Sequence, residues 1–255
     1  MTSLSVTVIT LNEGRNIEAC LASVAWADEI LVVDSGSTDD TVARARATGA
    51  KVVEREWPGY AAQKNWAAGE VTSDWILSVD ADERVSPALA REIREVLQGT
   101  PTAAGFRMPR VTWHLGRWIR TTDWYPDYQL RLYHRHHARW KSTRVHESVT
   151  ADGDVAMLTN DLQHYAYRDI SQHLQTMDRY TTLAASEMFE HGRRAGIVDL
   201  TLHPAASFFR NYVLRRGFLD GAPGFIVSAM NAYYVLLKFA KLRALAIGRE
   251  STDRS

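Results

Sequence analysis

Trp75-Ile-Leu-Ser-Val-Asp-Ala-Asp-Glu83 is an apolar run that empties directly into three carboxylates, Asp80, Asp82 and Glu83. It reads as a buried strand with acidic residues at its carboxyl tip. An Asp-x-Asp pair at a strand tip can bind a hard divalent cation through one or both carboxylates, directly or through water, and oxygen ligands suit Mg²⁺ or Mn²⁺. Such an ion commonly bridges phosphates. A second pair, Asp152-Gly-Asp154, has no strand feeding it and reads as a turn built on Asp and Gly.

Outward from this strand, the first hundred residues alternate in period. Ser5 to Leu11 and Glu29 to Val33 are strand-like runs, each followed by a polar turn and a helical pattern. In Leu31-Val-Val-Asp-Ser-Gly-Ser-Thr-Asp39 a carboxylate ends a strand, a Gly/Ser turn follows, and Thr38 or Asp39 can cap a helix running to Ala47, with Gly49 as its stop. A third strand, Lys51 to Arg55, precedes a helix through Ala68; Trp75 to Val79 is the fourth strand, and Pro87 opens another helix. Strands alternating with helices imply a Rossmann-like α/β fold, a mostly parallel sheet with helices on both faces. Ligands of such sheets bind outside the carboxyl ends of the strands. Thr10, Asn12 and Glu13, the segment Asp34 to Thr38, and the pair Asp80 and Asp82 gather there, which suits a nucleotide pocket. Asp34 has two readings, an acceptor for a ribose or base and a cap for its own turn.

After Gly105 the alternation breaks down and Trp, Tyr, Arg and His become frequent. Trp113, Trp118, Trp124 and Tyr125 suit either a platform on which a sugar stacks or ordinary core packing. His134-Arg-His-His137 reads as a solvated basic loop, because adjacent histidines point to different faces. From Asp169 the pattern is helical: Ser171 to Phe189, Pro204 to Arg215, and a last helix from about Gly224 to Leu245. That helix carries Phe225, Tyr233, Tyr234, Leu237 and Phe239 before a basic end, a composition that can lie in a membrane interface or pack on its own domain.

Thirty Lys and Arg balance thirty Asp and Glu, so no global field recruits nucleic acid, and no nucleic-acid partner is expected. The single cysteine, Cys20, reads as a small core residue. Met1-Thr-Ser-Leu-Ser enters a strand without an export signal, so a cytoplasmic location is expected. Lys238, Lys241 and Arg243 interrupt the best candidate for a membrane span.

Taken together, Ser5 to Glu13, Trp26 to Asp39, Gln63-Lys-Asn65 and Trp75 to Val85 resemble family 2 glycosyltransferases of the GT-A fold. The later blocks, Trp124-Tyr-Pro-Asp-Tyr-Gln-Leu-Arg-Leu132, Val145-His-Glu147, His164-Tyr165 and Gly217-Phe-Leu-Asp-Gly221, look more narrowly like bacterial enzymes that add glucose to the inner-core heptose of lipopolysaccharide. The resemblance implies an inverting transfer from a nucleotide sugar, UDP-glucose, to a lipopolysaccharide core or another lipid-linked glycan, at the cytoplasmic face of the inner membrane. It implies Mg²⁺ or Mn²⁺ on Asp82 and Asp80, with His146 as third ligand. Asp127 is the implied base, with Glu147 the alternative; the Gln129-x-Arg131 element after it is one residue shorter than the family's usual Gln-x-x-Arg. The donor set carried over is Thr10, Asn12, Glu13, Asp34, Ser35, Gly36, Lys64, Asn65, Asp80, Ala81 and Arg131. Gln63 and Lys64 have an exposed helix face as their other reading, and Arg131 has packing over an aromatic ring. The implied organisation is a GT-A catalytic domain over 1–168, with a donor half to 100 and an acceptor half after it, and a C-terminal helical extension over 169–255. A non-catalytic, membrane-associated sugar-binding scaffold is the competing class, and the presence of Asp34, Asp80, Asp82, Asp127 and His146 speaks against it.

Overall fold

Strand β1 (Leu4–Thr10) is buried at every position, as a central strand covered on both faces must be. In this computed structural model, which describes residues 2–99, 101–141 and 148–252, it is followed by α1 (Ile17–Ser23), β2 (Glu29–Asp34), α2 (Thr41–Ala47), β3 (Lys51–Glu54), α3 (Tyr60–Gly69) and β4 (Trp75–Asp80). The four strands run parallel. Then come β5 (Glu83–Val85), α4 (Pro87–Gln98) and β6 (Gly105–His114). Residues divide into two compact units, Met1–Val111 with Asp127–Tyr165, and Thr112–Pro126 with Ala166–Ser255. The aromatic segment 112–126 therefore groups with the C-terminal helices, whereas the sequence reading drew one boundary at 168.

The first unit also holds β8 (Asp127–His134), the hairpin of β9 (Ala138–Lys141) and β10 (Ser148–Ala151), β11 (Val155–Met157) and β12 (Leu162–His164); β7 (Arg117–Ile119) falls in the second. The main path across the sheet is β3-β2-β1-β4-β8-β6-β12-β5. β8 is antiparallel to β4, and β6 to β8, so the sheet is parallel in its N-terminal half and mixed beyond. The chain leaves β1 toward β2 and β3 and returns on its other side as β4, which opens a crevice at the carboxyl ends of β1 and β4. Alternation along β4 assigns its faces. Trp75, Leu77 and Val79 join α1 and α4 in one core cluster; Ile76 joins α3 in the other. Helices thus cover both faces. Cys20 lies in the first core, and burial pushes its thiol up, consistent with an inert packing residue.

In the second unit β7 pairs with the last residues of β6, and a single 3₁₀ turn (Thr122–Trp124) precedes α5 (Ile170–Glu190), α6 (Ile197–Phe209) and α7 (Gly221–Thr252). Helix α6 begins seven residues before Pro204, its start fixed by Asp199, whose carboxylate accepts the Gly196 N–H at 2.8 Å. Its end loosens into a π-turn over Arg210–Leu214. The Gly217–Gly221 block then owes its glycine to close approach: a Cβ on Gly224 would fall 1.9 Å from the Gly217 carbonyl oxygen, and one on Gly217 would meet the Asn211 carbonyl at 2.9 Å. By length and composition alone the Gly217–Gly248 stretch could cross a bilayer, despite Lys238, Lys241 and Arg243. It is nevertheless packed. Phe239 and Leu242 are buried with Ala185 of α5 and Ala195, and Lys241 donates to Asp178 of α5 at 2.7 Å. The aromatic residues of α7 therefore divide, with Phe239 inside and Phe225 and Tyr233 exposed.

Trp124 belongs to a buried cluster with His114, Tyr167 and His173, in which Tyr167 stacks on His173 at 4.2 Å between ring centroids. Trp113 and Trp118 pack edge to face across the β6–β7 pair. Packing thus accounts for Trp124, and in part for the tryptophan pair.

Candidate active site

The crevice between β1 and β4 is walled by two loops that hold each other. Asn12 adopts a left-handed backbone (φ 55°), and its Oδ1 accepts the Thr38 N–H at 2.8 Å, while its own N–H donates to Ser37 Oγ. The Glu13 N–H donates to Thr41 Oγ1, and the Glu13 carboxylate accepts from Asn16 at 2.8 Å; burial, then Asp82 and Asp39, push that carboxyl up against the pull of Asn16. Asp34 is buried at the tip of β2. One of its oxygens accepts the N–H groups of Gly36 and Ser37, the other the Ser37 hydroxyl, and Gly36 takes the φ of +93° this turn requires. Asp34 therefore caps its own turn. Thr10 at the end of β1 is buried, and its hydroxyl has no hydrogen-bond partner among the described residues.

Position 80 has the parity of Ile76, so the Asp80 side chain turns to the α3 face of the sheet. There Lys64 Nζ lies 2.7 Å from Asp80 Oδ1 and 4.1 Å from the centroid of the Trp140 ring. Gln63 and Lys64 are both buried, which removes the exposed-face reading. Gln63 donates to Ser35 Oγ and accepts from Arg55, and Asn65 exchanges two hydrogen bonds with the Trp140 backbone, pinning β9 to α3. Ala81, buried, separates the two aspartates.

Strand β8 supplies the facing wall. Asp127 and Gln129 are two apart and share a face, and a register shift between Leu130 and Leu132 interrupts the alternation at Arg131 and re-aims it. Arg131 Nη2 reaches Asp80 Oδ2 at 2.5 Å and Glu83 Oε1 at 2.7 Å, with its guanidinium 5.5 Å from the Trp140 centroid, so the arginine lies against an aromatic ring and is also paired with two carboxylates of the protein. Glu83 has no exposed side-chain surface. Its Oε1 also accepts from Arg110 at 2.9 Å, and its Oε2 accepts the Asp80 N–H at 3.0 Å. Arg110, opposite Asp127 in the β6–β8 register, donates through Nε and Nη2 to Asp127 Oδ2 at 2.9 and 2.6 Å. Gln129 donates to Asp127 Oδ1 at 2.7 Å. An unbroken chain of ion pairs thus runs Lys64, Asp80, Arg131, Glu83, Arg110, Asp127.

Asp82 stands apart from that chain, and its described partner is His164 Nε2 at 3.3 Å, carried by β12 opposite Glu83. Burial pushes Asp82 up, but His164 outweighs it and holds the carboxyl below its usual range. Burial likewise opposes ionisation of Asp80, and Arg131 and Lys64 overcome it, holding that carboxyl well below the carboxylate range. The residues present fit a divalent cation. Four carboxylates, Asp80, Asp82, Glu83 and Asp127, face the guanidinium groups of Arg110 and Arg131 and the Lys64 ammonium, which burial pushes toward its neutral form, so negative charge is in excess when histidine is counted neutral. Asp82, 26% exposed and free of Lys or Arg partners among the described residues, is the oxygen donor best placed to hold one, whereas both Asp80 oxygens are engaged by cations. His146 and Glu147, the implied third ligand and alternative base, lie outside the described residues.

The sequence reading gave Arg110 and Glu83 no role and quoted His164 without one. The signal for Glu83 was its place directly after the Asp-x-Asp pair; for Arg110 no local signal exists, because its function depends on the strand opposite. In the histidine-rich turn read as solvated, His136 and His137 are exposed, while the half-buried Arg135 donates to the carbonyls of Ala68, Val71 and Ser73 and so closes the end of α3. Among the described residues no group of three or more His, Cys, Asp or Glu side chains forms a ready metal cage.

A model of glycosyl transferase family 2 matches residues 5–158. An uncharacterized glycosyltransferase from Rickettsia bellii is 32% identical over 265 residues, covering 99% of this chain and 90% of that protein. A lipopolysaccharide core biosynthesis glycosyltransferase from Rhizobium meliloti is 30% identical over 246 residues, 94% of this chain and 91% of that one. Among solved structures, a mannosyltransferase from Pyrobaculum calidifontis, in complex with GDP-Man and Mn²⁺, superposes with a TM-score of 0.57 at 17% identity over 94% of this chain and 86% of its own.

Proposed function

The chain belongs to glycosyl transferase family 2 and has its GT-A fold, and from that premise we propose that it moves glucose from UDP-glucose, with inversion, onto the inner-core heptose of a lipopolysaccharide acceptor at the cytoplasmic face of the inner membrane. The observation that carries the reading is the ion-pair chain joining the strand-tip carboxylates of β4 to Asp127 on β8, which supports a diphosphate site and a base held on one sheet. Similarity over nearly the full length to a lipopolysaccharide core glycosyltransferase supports the acceptor class. Glucose and uridine rest on the resemblance of the 124–132, 145–147 and 217–221 blocks.

In the proposed mechanism the acceptor hydroxyl oxygen bonds to the anomeric carbon as the bond from that carbon to the UDP oxygen breaks. Asp127 Oδ1 takes the hydroxyl proton: Oδ2 is filled by Arg110, while Oδ1, among the described residues, accepts from Gln129 alone and keeps a lone pair. Arg110 fixes the direction of the carboxylate, a gain in orientation set against some loss of basicity. Lys64 and Arg131 offset the diphosphate's charge from beneath. A divalent cation on Asp82, with Asp80 beside it, would supply further neutralisation of the leaving UDP.

Release of UDP in the presence of Mn²⁺, measured over a panel of UDP-glucose, UDP-galactose and GDP-mannose against truncated lipopolysaccharide cores, tests the proposal. Turnover with UDP-glucose on a heptose-terminated core is expected. Turnover with another donor or another glycan would displace the glucose or heptose assignment, and donor binding without transfer to any acceptor would remove the reading.

A further inference from the structure

Helix α6 and the turns after it present a continuous apolar stripe to solvent. Val198, Leu202, Ala205, Phe209 and Val213 recur at three- and four-residue steps and so share one face. Leu202 is 62% exposed, and Leu214, at the end of the π-turn, is 66% exposed. The turn into α7 adds Phe218, Leu219 and Phe225, all exposed. This is a dense cluster of exposed large apolar side chains, where isolated ones would need no explanation.

Charge around the stripe has one dominant sign. Residues 193–225 contain five arginines, Arg193, Arg194, Arg210, Arg215 and Arg216, against Asp199 and Asp220. All five are exposed, and both aspartates are buried: Asp199 caps α6 and pairs with Arg193, and Asp220 pairs with Arg117. Arg210 and Arg215 share Asp123. No acidic side chain lies on the stripe itself. An apolar face with arginines at its edges matches a bilayer with an anionic headgroup layer, into which the apolar side chains sink while guanidinium groups stay at phosphate level. A protein partner would more often meet a face of mixed sign.

We infer that the α6 face, from Ile197 through Phe225, docks the protein peripherally on an anionic phospholipid surface. The distal part of α7 is not the anchor: Phe239 and Leu242 are consumed by packing against α5, and Lys241 is bound to Asp178. The purpose of such docking rests on the lipid-linked acceptor proposed above, but its evidence does not, since no donor or acceptor enters the argument.

The test is co-sedimentation of the full chain with vesicles of phosphatidylcholine alone or with 30% phosphatidylglycerol added, a fraction chosen to be about that of an anionic inner leaflet. Binding to the anionic vesicles should exceed that to neutral ones by at least about tenfold and weaken with salt, each arginine being worth roughly fivefold. Leu202→Glu with Leu214→Glu should lower partitioning about tenfold or more, with far-UV circular dichroism and UDP release onto a water-soluble truncated core unchanged. Arg194→Glu with Arg216→Glu should abolish the preference for anionic lipid. Leu245→Glu with Ile247→Glu, on exposed positions of distal α7, should leave binding intact. Equal partitioning of wild type and the Leu202/Leu214 variant, loss through the Leu245/Ile247 variant instead, resistance to carbonate extraction from membranes, which would mean that α7 spans, or a concentration-dependent dimer abolished by Leu202→Glu without vesicle binding would each overturn the inference. Loss of UDP release with vesicle binding retained would instead indict the proposed activity.

Discussion

Glu83→Gln removes one charge from the middle of the ion-pair chain and leaves shape almost unchanged. Glu83 is fully buried, and its two oxygens have opposite duties, Oε1 accepting from Arg110 and Arg131, Oε2 from the Asp80 N–H. A glutamine offers one acceptor and one donor, so either orientation of its amide sets an N–H₂ against an N–H or against two guanidinium groups. Removing one partner of a buried pair costs about 3–5 kcal/mol, because the charge left behind is uncompensated. Here Arg131 keeps Asp80 and Arg110 keeps Asp127, which places the loss near the lower end, about 3 kcal/mol. For a chain of this size that lowers the melting temperature by roughly 6–12 °C. Urea unfolding should show a lower midpoint at unchanged slope. Arg110→Met added to Glu83→Gln acts on the same Arg110–Glu83 contact, so the two losses should overlap, with a double variant more stable than the sum of its singles by about 1 kcal/mol or more. A Glu83→Gln protein within 1 kcal/mol of wild type, or a double variant no better than the sum of its singles, would falsify the view that this carboxylate is the keystone of the site.

Three further outcomes follow from the same geometry. Asp127→Asn should lower the transfer rate by about 10²–10⁴-fold with donor affinity near wild type, read by UDP release and by titration with UDP-glucose; a variant that keeps full turnover would move the base elsewhere. Asp82→Asn should weaken Mn²⁺ binding about tenfold or more, measured from the free-ion electron paramagnetic resonance signal without any substrate; unchanged binding would place the cation away from β4. Burial holds His173 down to about 4, against 6.5 for an exposed imidazole, beside His114, which burial also lowers, and the rings of Trp124 and Tyr167. The unfolded chain therefore binds a proton between those pH values that the folded chain does not, so stability is full above about pH 6.5 and declines as pH falls toward 4, by on the order of 3 kcal/mol at most. His173→Phe should shrink the difference between urea midpoints at pH 7 and pH 4.5; an undiminished difference would assign the acid sensitivity to other groups.

The N-terminal half of the fold was legible in the sequence because period and punctuation agreed there: β-branched runs, Ser86 and Pro87 opening α4, Gly36 at a turn that needs positive φ. The boundaries that moved did so where a distant side chain decides. Asp199 starts α6 early, and Phe239 turns inward because α5 lies against it. The residues that sequence could not assign share one property, that their partners sit on a neighbouring strand. Asp80 and Asp82 announce themselves by adjacency, but whether each binds a cation from solution or a protein cation depends on what β8, β12 and α3 bring to them. Lys64 and Arg131 take Asp80, and His164 faces Asp82. The two carboxylates of one motif thereby acquire different chemistry.

Register makes that division unavoidable. β6 places Arg110 opposite Asp127, and a register shift places Arg131 against Asp80 and Glu83. Slipping β8 by one residue would take Asp127 from Arg110 and Arg131 from Asp80 and Glu83, and would exchange the core sides of Leu130 and Leu132, which are buried in different clusters. The resulting cost, Asp80 and Glu83 without Arg131 and an arginine in apolar surroundings, is far larger than any single pairing energy in the sheet. The ion-pair chain therefore does more than equip the site: it specifies the pairing of the antiparallel strands that the periodicity of the second half left ambiguous. The register shift at Arg131 breaks the alternation of β8, so the reach of this arginine to Asp80 and Glu83 depends on that irregularity, while Asp127 and Gln129 keep their regular places opposite Arg110 and Met108.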